Sequence, residues 1–188
     1  ASAPPGLEFY LPVLSLLRAL DSEGRWPQTS VNRSRVIATD SLPGGETTGA
    51  TGAGRGGSFT LGSFMGTQHR CEASANALFP ALLREVFLLE RRLCPGRAGS
   101  SAVAVNKHAA FLPHLDSGAG AGQGTSLIVG LGDYSGGELV VEGAASDIRY
   151  RPRQFDGWQG RHWTRPFAGE RFSLVWFTPS GCEGVSYV

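Results

Sequence analysis

The chain has 188 residues, which is enough for one domain with a sizeable buried core and too few for two full domains. Its formal net charge of +1 excludes a whole-molecule field that would draw it to nucleic acid or an anionic membrane, and no apolar run reaches the roughly 18 residues of a membrane span. The three cysteines, Cys71, Cys94 and Cys182, are odd in number and outside any C-x-x-C arrangement, which argues against a disulfide framework or zinc knuckle and favours a reducing compartment inside the cell, nuclear or cytoplasmic.

Two amphipathic helices are predicted in the first hundred residues. Residues 9–21 place apolar side chains such as Val13 and Leu17 at helical spacing, and polar and breaker residues end the segment. Residues 74–93 carry a second apolar stripe, and Pro95-Gly96 ends that helix. Both helices are expected to pack against a sheet.

A glycine-rich segment separates the two helices. Residues 43–57 hold seven glycines in fifteen residues, so they cannot bury enough apolar surface to order themselves. We expect a mobile loop, and it is a candidate lid. A phosphate-binding loop would need a preceding strand and a following G-K-[ST], and the flanking residues supply neither.

After residue 100 the pattern changes to short runs of strand-forming residues bounded by Gly, Pro or Asp. Such closely spaced strands predict an α+β, mainly β, fold: a jelly roll or related barrel with the two helices buttressing one sheet. We expect a single domain over residues 1–188, with 1–100 as support and 101–179 as the β core. The eight predicted strands are 102–106, 111–114, 126–132, 138–142, 147–151, 154–155, 162–164 and 171–178.

His114 and Asp116 form the first candidate for chemistry. In an extended chain, residues two apart lie on the same side, so both side chains can reach one ion. A second histidine would complete the two-histidine, one-carboxylate facial triad that is typical of non-haem Fe(II) oxygenases. His162, on the seventh predicted strand, is the preferred third ligand over His69, which precedes the β region, and His108, which is too close to His114 to close a barrel. The alternative is an ordinary polar turn, because an isolated H-x-D pattern is common by chance.

Arg171 and Ser173 form the second candidate. They also alternate onto one face of the last predicted strand, and a guanidinium binds a carboxylate bidentately and stays charged when buried. The pair therefore suits a dicarboxylate cosubstrate. The alternative is that Arg171 is an ordinary surface arginine.

The ordered set of His114-x-Asp116, "FDG" at residues 155–157, His162 and Arg171-x-Ser173 resembles the Fe(II)/2-oxoglutarate-dependent oxygenases over residues 102–178. The resemblance implies a double-stranded β-helix, iron held by His114, Asp116 and His162, and 2-oxoglutarate bound by Arg171 and Ser173. O2 is then the second cosubstrate, and ascorbate is a candidate stimulant. Asn106 matches a position where such enzymes place a polar contact to the cosubstrate.

Within that superfamily, "GLGDYSGGELVV" at residues 130–141 is similar to the glycine-rich hairpin of the TET/JBP oxygenases, which oxidise the methyl group of a pyrimidine base. This likeness implies DNA as a candidate partner. The alternative is that Gly136-Gly137 is a plain hairpin turn, as also occurs in prolyl hydroxylases.

Residues 149–165 interleave five arginines with aromatic side chains, a combination that can hold phosphates and stack a flipped base. The candidate substrate-binding residues are Arg149, Asp156, Trp158 and Arg161. The alternative is the solvated face of a strand.

Three function classes stay open: a nucleobase oxygenase, a hydroxylase of a protein side chain or small molecule, and a non-catalytic β-barrel binding module. The sequence does not predict the oligomeric state.

Overall fold

A computed structural model describes residues 6–38, 56–116 and 124–188 of the chain. The helices of this part are α1 Leu7–Ser22, α2 Val31–Ser34, α3 Ala75–Leu78 and α4 Pro80–Leu93. The strands are β1 Gly57–Met65, β2 Arg70–Glu72, β3 Ala102–Lys107, β4 Ser126–Leu131, β5 Tyr134–Gly136, β6 Leu139–Val141, β7 Ala144–Ser146, β8 Arg153–Phe155, β9 His162–Thr164, β10 Phe167–Gly169 and β11 Phe172–Phe177.

The strands form three antiparallel sheets. The largest has six strands in the order β2-β1-β3-β11-β4-β8, and the smaller ones are β7-β6-β9 and β10-β5. None of these sheets closes on itself within the described residues. The predicted α+β, mainly β, class is confirmed. None of the helices in the same residues is long and apolar enough to cross a membrane.

One face of the six-stranded sheet is covered by helices. Because side chains alternate along a strand, Val105, Val129 and Trp176 point to this face, where they join a buried cluster with residues of α1 and α4 such as Leu17 and Val86. The indole Nε1 of Trp176 donates to the Val86 carbonyl at 3.1 Å. The predicted arrangement of two helices buttressing one sheet is therefore confirmed.

The opposite face of the six-stranded sheet is covered by the three-stranded sheet. Ile128, Phe155 and Val175 on the large sheet pack with Leu139 and Val141 of β6 in a second, smaller apolar cluster. The space between the two sheets leaves room for a cavity, and this cavity holds the candidate site.

The second predicted helix is interrupted. Residues 74–93 form α3 and α4 with a break at Phe79, whose φ of −133° and ψ of 58° are not helical. The cause is Pro80, which disfavours helical geometry at the residue before it and is itself well suited to the first position of a helix. The first helix, predicted over residues 9–21, is confirmed as α1.

Two of the eight predicted strands contain only isolated bridges. Phe111 and His114 each form one isolated bridge, and Pro113 between them has no N–H to donate to a ladder. The other predicted strand, residues 147–151, contains a turn and the isolated bridge of Arg149 with Gly130. In this turn Tyr150 has a φ of 54°, and the Arg151 N–H donates to the Ile148 carbonyl at 3.1 Å. The other six correspond to strands of the structure: residues 162–164 match β9, and the other five have shifted ends.

Five strands were not predicted. β5, β7 and β10 have three residues each and are rich in small side chains, so they show no alternation. β1 is buried on both faces over most of its length and pairs with β3 at six positions, and it brings β2 with it. Residues 57–65 thus belong to the main sheet, although the sequence assigned them to the supporting part.

The predicted loop over residues 43–57 overlaps the start of β1. Residues 43–55 lie outside the described residues, but Gly57 is the first residue of the strand, so the predicted end of the loop is wrong. A Cβ on Gly57 would lie 2.8 Å from the Trp26 ring. This glycine is therefore explained by close packing against an aromatic side chain.

Candidate functional site

His114, Asp116 and His162 converge at one point. His114 and His162 face each other in an antiparallel bridge, in which each N–H donates to the other's carbonyl, at 3.1 and 2.9 Å. The Nε2 atoms of His114 and His162 lie 3.8 and 3.7 Å from Asp116 Oδ1. In the described part of the chain these three are the one group of histidine, cysteine and acidic side chains with metal-ligand proximity, their ligand atoms lying within 4.8 Å of one another.

Backbone carbonyls orient both imidazoles. His114 Nδ1 lies 2.7 Å from the Leu112 carbonyl oxygen, and His162 Nδ1 lies 3.0 Å from that of Gly160. A carbonyl oxygen only accepts, so each Nδ1 carries the hydrogen and each Nε2 keeps a lone pair for a metal. Burial lowers the pKa of His114, which favours the neutral form that a metal ligand requires.

Gly157 makes room for the Asp116 carboxylate. The Asp116 N–H donates to the Gly157 carbonyl at 2.9 Å, and a Cβ on Gly157 would lie 2.0 Å from Asp116 Oδ2. Asp156 shapes the turn that carries this glycine, because its Oδ1 accepts from the N–H groups of Trp158 and Gln159 at 3.0 and 3.1 Å. The "FDG" tripeptide thus positions a ligand.

His114, Asp116 and His162 line a cavity of about 190 Å³ between the six-stranded and three-stranded sheets. The predicted cosubstrate residues Asn106, Arg171 and Ser173 line the same cavity from β3 and β11. The structure therefore brings together all six residues that the sequence singled out for metal and cosubstrate. Their roles stay predictions.

Arg171 is buried in this cavity with only 2% of its surface exposed. Its Nη1 and Nη2 donate to the Ala109 and Gly137 carbonyls at 3.3 and 3.2 Å, and its Nε is buried without a hydrogen bond. The guanidinium lies over the Phe167 and Tyr134 rings, 5.0 and 5.4 Å from their centroids. No carboxylate of the described residues pairs with it, and burial lowers its pKa. A buried cation without a counter-charge is costly, so this environment suits a residue that binds an anion.

A row of hydrogen bonds crosses the cavity wall. Ser58 Oγ donates to Asn106 Oδ1 at 2.6 Å, and Asn106 Nδ2 donates to Ser173 Oγ at 3.2 Å. Arg33 adjoins the row, since its Nη1 and Nη2 donate to Ser58 Oγ and Thr60 Oγ1 at 3.2 and 3.3 Å.

Arg33 was not predicted from the sequence, although it also lines the cavity. The segment after α2 joins the site through an isolated bridge between Ile37 and Phe111. This contact joins residues far apart in the chain, so no local pattern indicated it.

The four candidate substrate residues lie elsewhere. Arg149, Asp156, Trp158 and Arg161 are absent from the described residues that line the cavity. Arg149 and Arg161 are exposed, and Arg149 Nη1 donates to the Tyr134 carbonyl at 2.7 Å. Their contact with substrate stays a prediction.

The two competing histidines are not close to the triad. His108 is buried, with its Nε2 at 3.8 Å from Asp21 Oδ2, and His69 is exposed just before β2. The preference for His162 as the partner of His114 and Asp116 therefore agrees with the geometry.

Comparison with known proteins gave matches by structure alone. No family model matches the sequence, and the comparison with curated proteins found no match. The chain is similar to an oxidoreductase of the 2OG-Fe(II) oxygenase family from Burkholderia pseudomallei, with 20% identity and a TM-score of 0.46 over 88% of this chain and 81% of that chain. It is also similar to NgTET1 in a complex with 5mC DNA, with 12% identity and a TM-score of 0.48 over 68% of this chain. That match spans 62% of the NgTET1 chain.

Proposed function

We propose that this chain is an oxygenase that uses Fe(II), 2-oxoglutarate and O2 to hydroxylate a C–H bond of its substrate. One observation carries the proposal. Two imidazole Nε2 atoms and one carboxylate oxygen converge in a cavity that also holds Arg171, a buried guanidinium with no acid partner among the described residues. The first group suits a metal and the second suits an anionic cosubstrate.

The fold proposed with this function is the double-stranded β-helix. Its support is the arrangement of antiparallel sheets, with the three-stranded sheet packed over the large one and the cavity between them. The first residue of β9 is His162, which pairs with His114 in an isolated bridge. The triad therefore lies at the start of β9.

The residues fit Fe(II). Two histidines and one carboxylate are the ligands of the facial triad, which leaves coordination positions open for cosubstrates. The Nδ1 hydrogen bonds orient the two imidazoles, and the missing side chain at Gly157 leaves space for the Asp116 carboxylate. When bound, the metal supplies the oxidative chemistry, and the protein supplies binding, orientation and exclusion of water.

Arg171 and Ser173 would bind the distal carboxylate of 2-oxoglutarate. The Ser173 oxygen accepts from Asn106 Nδ2, which leaves the Ser173 hydroxyl hydrogen free to donate to an anion. Asn106 is in turn held by the Ser58 hydroxyl at its Oδ1. We therefore assign Asn106 a positioning role that acts through Ser173.

Apolar side chains form part of the cavity wall. Ile128, Leu139, Phe155 and Val175 line it between the two sheets. Hydrogen bonds and ion pairs are stronger in such a low-dielectric space, which increases the contribution of Arg171 to cosubstrate binding. A non-catalytic binding module would have no use for this buried cation beside a complete triad.

The substrate has two candidate classes. One is a small molecule or a protein side chain. The other is the methyl group of a pyrimidine base in DNA, which is favoured by five exposed arginines in residues 149–165. Two of these arginines, Arg149 and Arg151, form ion pairs with Asp133 and Asp147, which reduces the positive charge of this surface.

The function is tested by anaerobic titration of the protein with Mn(II) and 2-oxoglutarate, followed by succinate detection with Fe(II) in air. We expect saturable binding of both ligands, and loss of metal binding in His162→Ala. A folded wild-type protein that binds neither ligand would contradict the proposal.

The substrate class is tested by succinate release with methylated duplex DNA, unmethylated duplex DNA and no DNA, at low and moderate salt. A DNA substrate would increase succinate release in a salt-sensitive way and yield an oxidised base detectable by mass spectrometry. Equal release in all three samples, with no oxidised base, would exclude it.

A further inference from the structure

Arg33 is a second cation in the cavity, and the proposed function leaves it without a role. Its guanidinium donates to two neutral hydroxyls, those of Ser58 and Thr60. No carboxylate among the described residues forms an ion pair with it. Burial lowers the pKa of Arg33, while the charge of Asp116 acts in the opposite direction. The acid whose charge acts on Arg33 is Asp116, which is itself a proposed metal ligand.

Arg33 is too far from Arg171 for the two to clamp one carboxylate. Ser58, Asn106 and Ser173 lie in register on the adjacent strands β1, β3 and β11. Neighbouring strands are about 4.8 Å apart, so Ser58 and Ser173 are separated by roughly 10 Å across the sheet. Arg33 contacts β1 at one end of this row, whereas Arg171 lies beside β11 and donates towards Ala109 and Gly137. The cavity thus has two separate cationic positions.

The charges of the proposed complex leave one of these positions unbalanced. A divalent metal and Arg171 together carry three positive charges, and Asp116 with the dicarboxylate cosubstrate carries three negative charges. These charges cancel, so Arg33 remains in the cavity without a counter-charge among the described residues. A second anion would supply this counter-charge.

We propose that Arg33 binds a carboxylate of the substrate, and that the substrate is a small organic acid distinct from the cosubstrate. This inference rests on the proposed function and names its substrate class. A guanidinium forms paired, charge-assisted hydrogen bonds with a carboxylate, and it retains free N–H donors after bonding to Ser58 and Thr60. The cavity of about 190 Å³ must also hold the cosubstrate, which favours a small acid over a segment of a polymer.

The experiment compares small carboxylic acids with their uncharged amides. The probes are hexanoate with hexanamide and 3-phenylpropionate with 3-phenylpropionamide, and inorganic phosphate and duplex DNA are included as other anions. Binding is measured by ligand-observed NMR to wild-type protein, to Arg33→Gln and to Arg33→Lys. Each titration is made with Mn(II) and 2-oxoglutarate under anaerobic conditions, and again without them.

We expect at least one acid to bind wild-type protein about 10- to 100-fold more tightly than its amide, as a charge-assisted hydrogen bond predicts. Arg33→Gln should lose this preference, and Arg33→Lys should retain part of it. The affinity of Arg33→Gln for 2-oxoglutarate should stay within about twofold of wild type. Thermal unfolding of both variants checks that they are folded.

Three results would overturn the inference. A loss of 2-oxoglutarate affinity in Arg33→Gln would assign Arg33 to the cosubstrate, and equal binding of acids and amides by wild-type protein would leave no carboxylate site. Preferred binding of phosphate or DNA at Arg33 would replace the substrate class. Failure of wild-type protein to bind Mn(II) and 2-oxoglutarate would contradict the proposed function instead, and the titrations without them would still test the carboxylate site.

Discussion

Replacing Gly157 by alanine should damage the candidate metal site without replacing any of its three candidate ligands. The added Cβ would lie 2.0 Å from Asp116 Oδ2 and 2.9 Å from its Cγ, and 3.2 Å from His162 Cε1. The φ of Gly157 lies outside the left-handed region, so its backbone conformation is open to alanine. The conflict is therefore with the side chains that would hold the metal.

The size of the effect follows from these distances. Asp116 Oδ2 would have to retreat from 2.0 Å to the 3.4 Å at which ordinary van der Waals contact begins, and Cγ at 2.9 Å would have to move as well. Oδ1, the oxygen that faces the two imidazoles, would move with Cγ. The shift of Oδ2 is more than half the length of a metal–oxygen bond of about 2.1 Å. Loss of a group that only supports a ligand typically costs 10- to 100-fold in metal affinity, so displacement of the ligand should cost at least about 100-fold, or about 2.7 kcal/mol.

The assay is Mn(II) binding to Gly157→Ala, measured by electron paramagnetic resonance, with thermal unfolding as the check of the fold. Asp116→Ala gives the result expected for complete loss of the ligand. Gly96→Ala is the matched control, because a Cβ there would meet nothing within 4 Å. A folded Gly157→Ala that binds Mn(II) as tightly as wild type would refute the assignment of the Asp116 carboxylate to a metal at this position.

Three other substitutions test the candidate cosubstrate site, a buried ion pair and a tyrosine with a raised pKa. Arg171→Gln should raise the 2-oxoglutarate concentration needed for half-saturation by about 30-fold or more, because loss of a buried charged hydrogen bond typically costs roughly 2–5 kcal/mol. Mn(II) binding in the absence of 2-oxoglutarate should change little. Unchanged 2-oxoglutarate affinity would contradict the assignment. Arg97→Ala should lower the free energy of unfolding, measured in urea, by about 3–5 kcal/mol, because it leaves the buried Glu90 carboxylate without its ion-pair partner. A urea midpoint equal to that of wild type would show that the pair contributes nothing to stability. Burial, together with the hydrogen bond to Glu72, raises the pKa of Tyr187 to about 12, so the stability contributed by its neutral phenol is present below pH 10 and is lost as the pH rises towards 12. Tyr187→Phe should therefore show a smaller alkaline loss of stability than wild type, and an identical pH profile would contradict this reasoning.

The candidate ligands could be predicted because their pairing depends on a local rule. His114 with Asp116, and Arg171 with Ser173, are two residues apart, and an extended chain places such pairs on one side. This holds even though His114 forms only a single bridge and not a regular strand. Local geometry was therefore enough to predict which side chains face together, without the sheet order.

The parts that were missed depend on contacts between distant segments. β1 was not predicted because it is buried on both faces and interrupted by Gly62, which leaves no alternation to detect. Arg33 reaches the cavity through the pairing of Ile37 with Phe111, and this pairing becomes evident only in the folded chain. The sequence consequently singled out six residues that the fold brings together, but it gave no signal for the second cation.

Glycine shows the same limit within the site itself. The chain has 27 glycines, and Gly132 is explained by its φ of 111° and the close backbone of Glu170. Gly157 has neither feature, and the atoms that a Cβ there would meet belong to the side chains of Asp116 and His162. Its importance could not be predicted from a turn pattern.

Backbone groups position all three candidate ligands. His114 and His162 each bond through Nδ1 to a carbonyl two residues earlier in the chain, and the Asp116 N–H donates to the Gly157 carbonyl. Any residue type at the carbonyl positions could accept these bonds, so residue identity carries little information about them. Replacing His114, Asp116 or His162 removes a metal-donor atom altogether, so the resulting loss of affinity does not test how the three donor atoms are placed. Gly157→Ala keeps all three donors and moves one, so metal affinity in that variant reports directly on the geometry from which the function is inferred.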